Sequence, residues 1–167
     1  MAKASVIALV SLAIYLSSLS FSDAEDTFFV EGKVYCDTCR VEFETRLSEP
    51  IKGAIVKLEC RNRTIDGSIT YSHEAVTDES GKYSIQAKGD HEEEICEVRV
   101  TKSPRADCNE FMESWNKARV VLTKKDGILD PRRFANGLGF LKKEAVPGCA
   151  EVLKEMGFLP LNSRKTL

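Results

Sequence analysis

The sequence lacks the short motifs that usually accompany catalysis or nucleotide binding. Its 167 residues contain no G-x-S-x-G elbow, no H-E-x-x-H zinc motif and no P-loop. Basic and acidic residues number 24 and 26, which gives a formal net charge of -2. A strongly basic nucleic-acid binder is therefore excluded, because such a protein carries a clustered excess of lysine and arginine. Since 43% of the residues are hydrophobic, an acidic disordered chain is excluded as well.

Residues suited to catalysis or metal binding are few, with only two histidines in the chain. Ser72, His73 and Glu74 are consecutive, so a strand would point them to alternate faces and prevent a charge-relay set. His91 precedes three glutamates, and we interpret this segment as a solvated acidic turn rather than a metal site. The sequence nominates no catalytic residue, metal or cofactor, although folding alone can bring a pair of carboxylates together.

Hydrophobic residues are concentrated at the N-terminus. After a single lysine, residues 4–19 are apolar or small, and a segment of small residues follows. This order is typical of a cleavable secretory signal. Ser22 and Ala24 suit the -3 and -1 positions, so we predict a signal peptide over residues 1–24, with cleavage after Ser20 or Ser22 as alternatives. A membrane anchor is disfavoured, because the stretch is short for a bilayer core and no basic cluster follows. The predicted location is the extracellular space or the cell wall.

All six cysteines follow this segment, at positions 36, 39, 60, 96, 108 and 149. An even number in a secreted protein implies three disulfides, but fifteen pairings are possible. A thioredoxin-type redox pair at Cys36 and Cys39 is disfavoured, because the motif follows a predicted strand instead of opening a helix. A zinc site is disfavoured, because no second C-x-x-C or histidine pair has ligand spacing.

Apolar and polar residues alternate with period two in five segments, which are residues 28–35, 54–60, 82–88, 96–101 and 117–122. Such alternation predicts strands with one buried face. A further strand is predicted over residues 69–77, and Gly- and Asp-containing turns separate the segments. The pattern predicts a single all-β domain, an antiparallel sandwich or barrel, over residues 25–161.

One disulfide follows from the predicted strand faces. Cys60 and Cys96 both fall on the inward face of a strand, so we predict that they pair across the core. Closing a loop of about 36 residues would stabilise the fold by about 3–4 kcal/mol in the chain-entropy picture.

Only the C-terminal region has a helical pattern. Val152, Leu153 and Met156 follow the spacing i, i+1, i+4, and Gly157 is a natural stop. We predict a short helix over residues 149–156 and a flexible tail over residues 162–167.

The segment Glu-Gly-Lys-Val-Tyr-Cys-Asp-Thr-Cys-Arg, residues 31–40, resembles the signature of the olive major pollen allergen family, the Ole e I-like proteins. The similarity extends over residues 29–159 and includes the T-D-x-x-G-K-Y pattern at residues 77–83. These patterns also resemble prealbumin-like β-sandwich modules. The resemblance implies a compact β-domain, secretion in a flowering plant, commonly from pollen or anthers, and potential allergenicity.

The resemblance also implies a disulfide scheme. In the family, the first cysteine pairs with the fifth, the second with the sixth and the third with the fourth. In this chain the pairs would be Cys36–Cys108, Cys39–Cys149 and Cys60–Cys96. The last pair agrees with the argument from strand faces.

Two surface features are candidates for modification or binding. Asn62 begins the only N-glycosylation sequon, just after a predicted strand, and we expect it to carry a glycan. Arg132 and Arg133 lie in a predicted loop between the lysine pairs 124–125 and 142–143. An ordinary solvated surface explains this basic region, and the functional hypothesis is docking onto an acidic receptor face or a pectin-like polymer.

Together with the family resemblance, which implies a plant origin, the sequence predicts a secreted, non-enzymatic, monomeric protein without a membrane span. Its expected role is binding or signalling in pollen development or pollen-tube growth, through a receptor ectodomain. A structural protein that binds cell-wall polysaccharide is the alternative, although the chain lacks Pro-rich repeats and an evident aromatic platform. A small enzyme or an enzyme inhibitor is a further alternative, although no exposed anchor loop can be recognised.

Overall fold

The computed structural model describes residues 25–64 and 66–158, which form ten strands and one short helix. The strands are β1 (Thr27–Asp37), β2 (Glu49–Pro50), β3 (Ile55–Asn62), β4 (Ile69–Val76), β5 (Lys82–Lys88), β6 (Glu94–Lys102), β7 (Cys108–Phe111), β8 (Lys117–Val120), β9 (Arg132–Phe134) and β10 (Leu138–Lys142). The helix is α1 (Cys149–Glu155). The predicted signal peptide, residues 1–24, and the predicted tail, residues 162–167, lie outside the described residues. The prediction of an all-β fold with a short C-terminal helix is confirmed.

Two sheets enclose the core. One is antiparallel, with the strand order β4-β3-β6-β8. The other is organised by β1, whose first half pairs with β5 and β9 and whose second half pairs with β2 and β10. Strand β7 pairs with the far edge of β10. The sheets are not closed into a barrel, so the open form is the correct one of the two predicted architectures.

Two of the strand pairs are parallel, whereas the sequence analysis expected antiparallel pairing throughout. Strand β1 runs parallel to both β9 and β10. Parallel neighbours require a long connection, because a tight hairpin can only reverse the chain. The region between β1 and β9, residues 38–131, supplies that connection and contains seven other strands.

The predicted alternation places one face of each major strand in the core. In β5, Tyr83, Ile85 and Ala87 are buried, and the residues between them are exposed. In β6, alternate positions from Cys96 to Val100 are buried in the same cluster. Burying each large apolar side chain stabilises the fold by about 1.5–3 kcal/mol, which explains why these faces set the strand orientation.

Four short strands, β2, β7, β9 and β10, were absent from the prediction. Strand β10 has no alternation, because its residues Leu138–Leu141 are all buried. A strand that is covered on both faces has a continuous run of apolar residues in the sequence. Such a run has no period of two, so it cannot be told from a buried helical or loop segment. Strand β9 contains only three residues, which is too short for alternation to be recognised. The region at Arg132 and Arg133 was therefore predicted as a loop, whereas it is a strand on the edge of the β1 sheet.

The C-terminal helix begins at Cys149 as predicted and ends one residue earlier, at Glu155. Gly157 has φ 87°, which agrees with its predicted role as the stop. Val152 is buried, whereas Met156 is exposed and does not belong to the packed face. Across residues 25–64 and 66–158, no helix combines the length and the apolar content needed to cross a bilayer.

Candidate functional site

Three disulfides join β1, the segment after it and β3 to distant parts of the chain. The bonds are Cys36–Cys108, Cys39–Cys149 and Cys60–Cys96, the same pairs that the family resemblance implies. The first links the strands on either side of β10, and the second attaches α1 to the segment after β1. Since no cysteine is free, Cys36 and Cys39 are not a dithiol pair in this fold.

The segment around the C-x-x-C motif forms a corner built on Asp37. Its fully buried carboxylate accepts hydrogen bonds from the backbone N–H groups of Cys39 at 2.9 Å, Val41 at 2.7 Å and Glu42 at 2.7 Å. Arg40 and Glu42 have left-handed backbone conformations, with φ 58° and 59°, which are uncommon for residues other than glycine. Asp37 therefore fixes the turn that sends the two cysteines to different partners, a role that the sequence analysis missed.

His91 lies beside the Cys60–Cys96 disulfide with its side chain largely covered, whereas the turn that follows it, at residues 92–93, is at least partly exposed. Its side chain is 9% exposed, with Nδ1 2.7 Å from the Glu94 carboxylate and Nε2 3.0 Å from the Lys88 carbonyl oxygen. Atoms of the cysteines, His91 and Glu94 that could bind a metal lie within 4.8 Å of one another. Both sulfurs are committed to a disulfide, so the cluster offers no thiolate to a metal.

The other polar candidates lie at the surface. Asn62 is exposed at the end of β3, and its side-chain oxygen accepts a hydrogen bond from the Thr64 N–H at 3.0 Å. The position is accessible to a glycan, and occupancy stays a prediction. Ser72, His73 and Glu74 are all exposed on β4, at the edge of its sheet.

Arg132 and Arg133 have opposite environments, which corrects the predicted basic patch. Arg132 is exposed and pairs with Asp130 at 2.8 Å, and this contact lowers the pKa of Asp130 to about 2. Arg133 is only 5% exposed. Because neighbouring strand residues point to opposite faces, a strand through both arginines turns Arg133 inward. Arg133 is therefore unavailable for docking, and only Arg132 remains a candidate for partner contact.

The buried guanidinium of Arg133 organises the segment that precedes it, residues 121–132. It lies 4.9 Å from the centre of the Phe28 ring and 3.6 Å from the Asp126 carboxylate. Its N–H groups donate to five backbone carbonyls, those of Val121, Thr123, Ile128, Asp130 and Arg132. A planar group with five donors suits this task, whereas a lysine ammonium has three. We call residues 121–132 the Arg133 loop.

The Arg133 loop presents apolar side chains to solvent. Leu129 is 90% exposed, and Val121 and Ile128 are each at least half exposed. The cations in and beside this loop all have acidic partners, in the pairs Lys124–Asp26, Lys125–Glu92, Arg132–Asp130 and Arg133–Asp126. The loop is thus an ordered, apolar projection with compensated charge, and the sequence analysis did not recognise it.

A groove of about 580 Å³ lies on the other side of β9, between β1, β5 and the end of β4. Its lining includes Glu31, Lys33, Lys82, Ser84 and Phe134. The side chain of Phe134 is 70% exposed, and its ring forms one wall of the groove. An open groove with an aromatic wall and several polar side chains is suited to binding a small or extended ligand.

Comparison with known proteins places these features in a family. The model of the family described as "Pollen protein Ole e 1 like" matches residues 26–157. The anther-specific protein LAT52 of Solanum lycopersicum is 51% identical over 162 residues, covering 96% of this chain and 99% of that protein. An Olee1-like protein of Betula pendula is 50% identical over 163 residues, covering 96% of this chain and 97% of that protein.

A solved structure supports the same assignment. The crystal structure of the major plantain pollen allergen Pla l 1 has a TM-score of 0.64 and 34% sequence identity. The alignment covers 74% of this chain and 99% of the allergen. From its sequence, its disulfide-linked β-fold and these similarities, the chain belongs to the family of pollen proteins like Ole e 1.

Proposed function

We propose that this protein is a secreted, non-enzymatic pollen or anther protein that acts by binding a partner at the cell surface. The observation that carries the proposal is the Arg133 loop, which holds Leu129 almost fully exposed on an ordered backbone. Relatives at 46–51% identity are named as anther-specific, Olee1-like or pollen-allergen proteins, and these names support a non-enzymatic role in pollen.

Secretion is part of the proposal. Residues 1–24 have the sequence pattern of a signal peptide, and three disulfides are typical of proteins that fold in an oxidising compartment. Expression in plant cells should release a product whose N-terminal residue follows Ala24. The variant Asn62→Gln should lower the mass of that product by one glycan. Retention of the chain inside the cell would contradict secretion, and an unchanged mass would contradict glycosylation.

Binding through the Arg133 loop has a physical basis. An ordered loop loses little conformational freedom when a partner covers it, so more of the contact energy appears as affinity. The compensated charges leave the apolar side chains as the main source of binding energy. The expected partner surface is therefore an apolar pocket in a receptor ectodomain, and not a strongly acidic face.

The test uses the secreted, oxidised protein as bait in pollen and pistil extracts, with crosslinking and mass spectrometry. Reduced protein controls for the folded state, and Leu129→Ser is compared with Ile69→Ser, a matched change at an exposed apolar position on β4. We expect a receptor ectodomain to be recovered by the wild type and by Ile69→Ser, and to be lost with Leu129→Ser. Equal recovery by all variants would remove the loop from the proposal.

A second candidate function is binding of cell-wall polysaccharide. The groove beside Phe134 favours it, because the exposed ring supplies the aromatic surface that the sequence analysis did not find. In the same bait experiment, recovery of wall polymer alone, released by salt or by pectin fragments, would support this candidate over receptor binding.

Allergenicity depends on the surface that antibodies recognise and is separate from the physiological function. A pollen allergen of Chenopodium album is 46% identical to this chain over 161 residues. Shared exposed surface at this level of identity supports antibody cross-reaction. Binding of allergen-positive sera to the oxidised protein, compared with the reduced protein, tests whether folded epitopes carry it.

A further inference from the structure

The groove beside Phe134 is formed by one exposed face of three paired strands. Glu31 of β1 is the register partner of Ser84 in β5 and of Phe134 in β9. Register partners and residues two positions apart point to the same side of a sheet. Lys33 and Lys82, which are partners two residues further along, therefore lie on the same face. These five residues form a platform, with an aromatic ring at one end and two lysines at the other.

Within the described part of the chain, Lys82 is the cation of the platform that has no ion-pair partner, although the Asp78 carboxylate also lines the groove. Like charges directly opposite each other on neighbouring strands are unfavourable. Glu44 pairs with Lys33 at 2.6 Å and relieves part of this repulsion. In residues 25–64 and 66–158, no carboxylate lies within ion-pair distance of the Lys82 ammonium, whose residue makes its hydrogen bond to Asp78 through the backbone N–H. An anionic group bound at this end would complete the pairing.

The other end of the platform favours a ring with hydroxyl groups. The Arg132 guanidinium lies 6.0 Å from the centre of the Phe134 ring, and the ring, at 70% exposed, still offers apolar surface for stacking. Beside it, the Glu31 carboxylate accepts hydrogen bonds, and the Ser84 hydroxyl both donates and accepts them. The carboxylates of Glu31 and Asp78, which both line the groove, repel densely charged anions such as polyphosphates, so a ligand with single, widely spaced carboxylates is favoured. The platform thus matches a ligand that carries a carboxylate at one side of a hydroxylated ring.

We propose that this groove binds a saccharide chain containing uronic acid residues. The sugar carboxylate lies on Lys82 and Lys33, the C–H face of a sugar ring packs on Phe134, and the hydroxyls bond to Glu31 and Ser84. The open groove, at about 580 Å³, leaves both ends of a chain free to continue. The proposal rests on the proposed extracellular location, and it needs no contribution from the Arg133 loop or from a receptor.

The test measures binding of trigalacturonic acid to the purified, oxidised protein by calorimetry and by NMR shift mapping. Fully methyl-esterified trigalacturonic acid is the matched uncharged ligand. We expect Lys82→Met to weaken binding of the acid by about fivefold and Phe134→Ala to weaken it by about tenfold. Lys88→Met on the same strand and Phe111→Ala, another exposed aromatic, should stay within about twofold of the wild type. Thermal unfolding checks that each variant is folded.

Three results would overturn the proposal: no binding by the wild type at low ionic strength, equal weakening by the control variants, or equal affinity for the methyl ester. Shift changes confined to the Arg133 loop would also contradict it. Receptor capture in the bait experiment is expected to be insensitive to Lys82→Met, so failure of the saccharide site and failure of the proposed receptor function give different results.

Discussion

The ring of Tyr83 fills the space in which a side chain at position 32 would lie. Gly32 and Tyr83 are register partners in the β1–β5 pair, and a Cβ at position 32 would overlap the Tyr83 hydroxyl and ring carbons. The Tyr83 ring is buried and belongs to the main core cluster, so displacing it disturbs that packing. We predict that Gly32→Ala lowers the free energy of unfolding by about 1–3 kcal/mol, measured by urea denaturation. The double variant Gly32→Ala, Tyr83→Leu should recover part of the loss, and unchanged stability of Gly32→Ala would contradict the packing.

Removing the Tyr83 hydroxyl should not destabilise the protein. Among the described residues, this buried hydroxyl has no hydrogen-bond partner. Burial also raises the pKa of Tyr83, so the group stays neutral. A buried polar group without a partner costs free energy, and its loss is neutral or favourable. We expect Tyr83→Phe to unfold at the same or a higher denaturant concentration than the wild type; a clear loss of stability would show that the hydroxyl has a partner.

The two neighbouring arginines should differ in their effect on stability. Arg133→Met leaves buried carbonyls of the Arg133 loop without donors, so we predict a loss of about 2–3 kcal/mol and faster proteolysis within residues 121–132. Arg132→Met removes only an exposed ion pair and should cost less than about 1 kcal/mol. Urea unfolding and limited proteolysis check both; equal effects of the two changes would refute the assignment of Arg133 as the buried residue.

The stability of the β3–β6 face should depend on pH through Glu59. Its side chain is 7% exposed and contacts Lys57 at 2.9 Å, Arg61 at 2.8 Å and Arg99 at 3.6 Å. The hydrogen bond from Lys57 is the main reason that the pKa of Glu59 lies below its usual value. Because the pKa is lower in the folded state, ionised Glu59 stabilises the fold above the unfolded value of roughly 4.3, and this contribution is lost as the pH falls through the folded value.

The variant Glu59→Gln, which removes the charge of the Glu59 side chain, tests this pH dependence. At pH 7 we expect it to be less stable than the wild type by about 1–3 kcal/mol, since three cations lose their shared partner. The difference should narrow as the pH is lowered from about 4 towards 2, where the wild-type carboxyl becomes neutral. Urea unfolding at several pH values measures the difference, and a constant gap across this range would contradict the proposed linkage.

The disulfide pairs can be read directly from the secreted protein. Peptide mapping without reduction should yield linked peptides for the pairs Cys36–Cys108, Cys39–Cys149 and Cys60–Cys96. Replacing Cys39 and Cys149 together by serine should release α1 and increase its hydrogen exchange while β3 and β6 stay protected. A peptide containing a Cys36–Cys39 bond would contradict the corner formed by Asp37.

The major strands were predictable because their burial alternates. In β5 and β6, the pattern of apolar residues gives the buried face directly, and it placed Cys60 and Cys96 on inward faces. The prediction that their bond crosses the core was wrong, because they are register partners on neighbouring strands of one sheet. Strand β10 was missed because it is buried on both sides and shows no alternation. The parallel partners of β1 were missed because local patterns contain no information about which distant strands meet.

The candidate sites were harder to predict because they depend on tertiary register. A pair of adjacent arginines usually indicates an exposed basic surface, and only the strand pairing of β9 shows that Arg133 points inward. Lys33, Lys82 and Phe134 are ordinary surface residues in the sequence, separated by up to 101 positions. Their role as a platform follows from the two partners of β1, which periodicity does not reveal.

The position of β1 at the centre of its sheet has a consequence for biosynthesis. The ribosome delivers this strand before the other nine described strands, and its partners β9 and β10, about a hundred residues away, come after the other seven. On the proposed secretory route, Cys36 and Cys39 enter the oxidising compartment together, long before Cys108 and Cys149 arrive. Any bond formed between them at that stage must be exchanged, because each thiol needs a different final partner. An early bond between Cys36 and Cys39 would thus make correct folding depend on disulfide exchange after Cys108 and Cys149 have emerged.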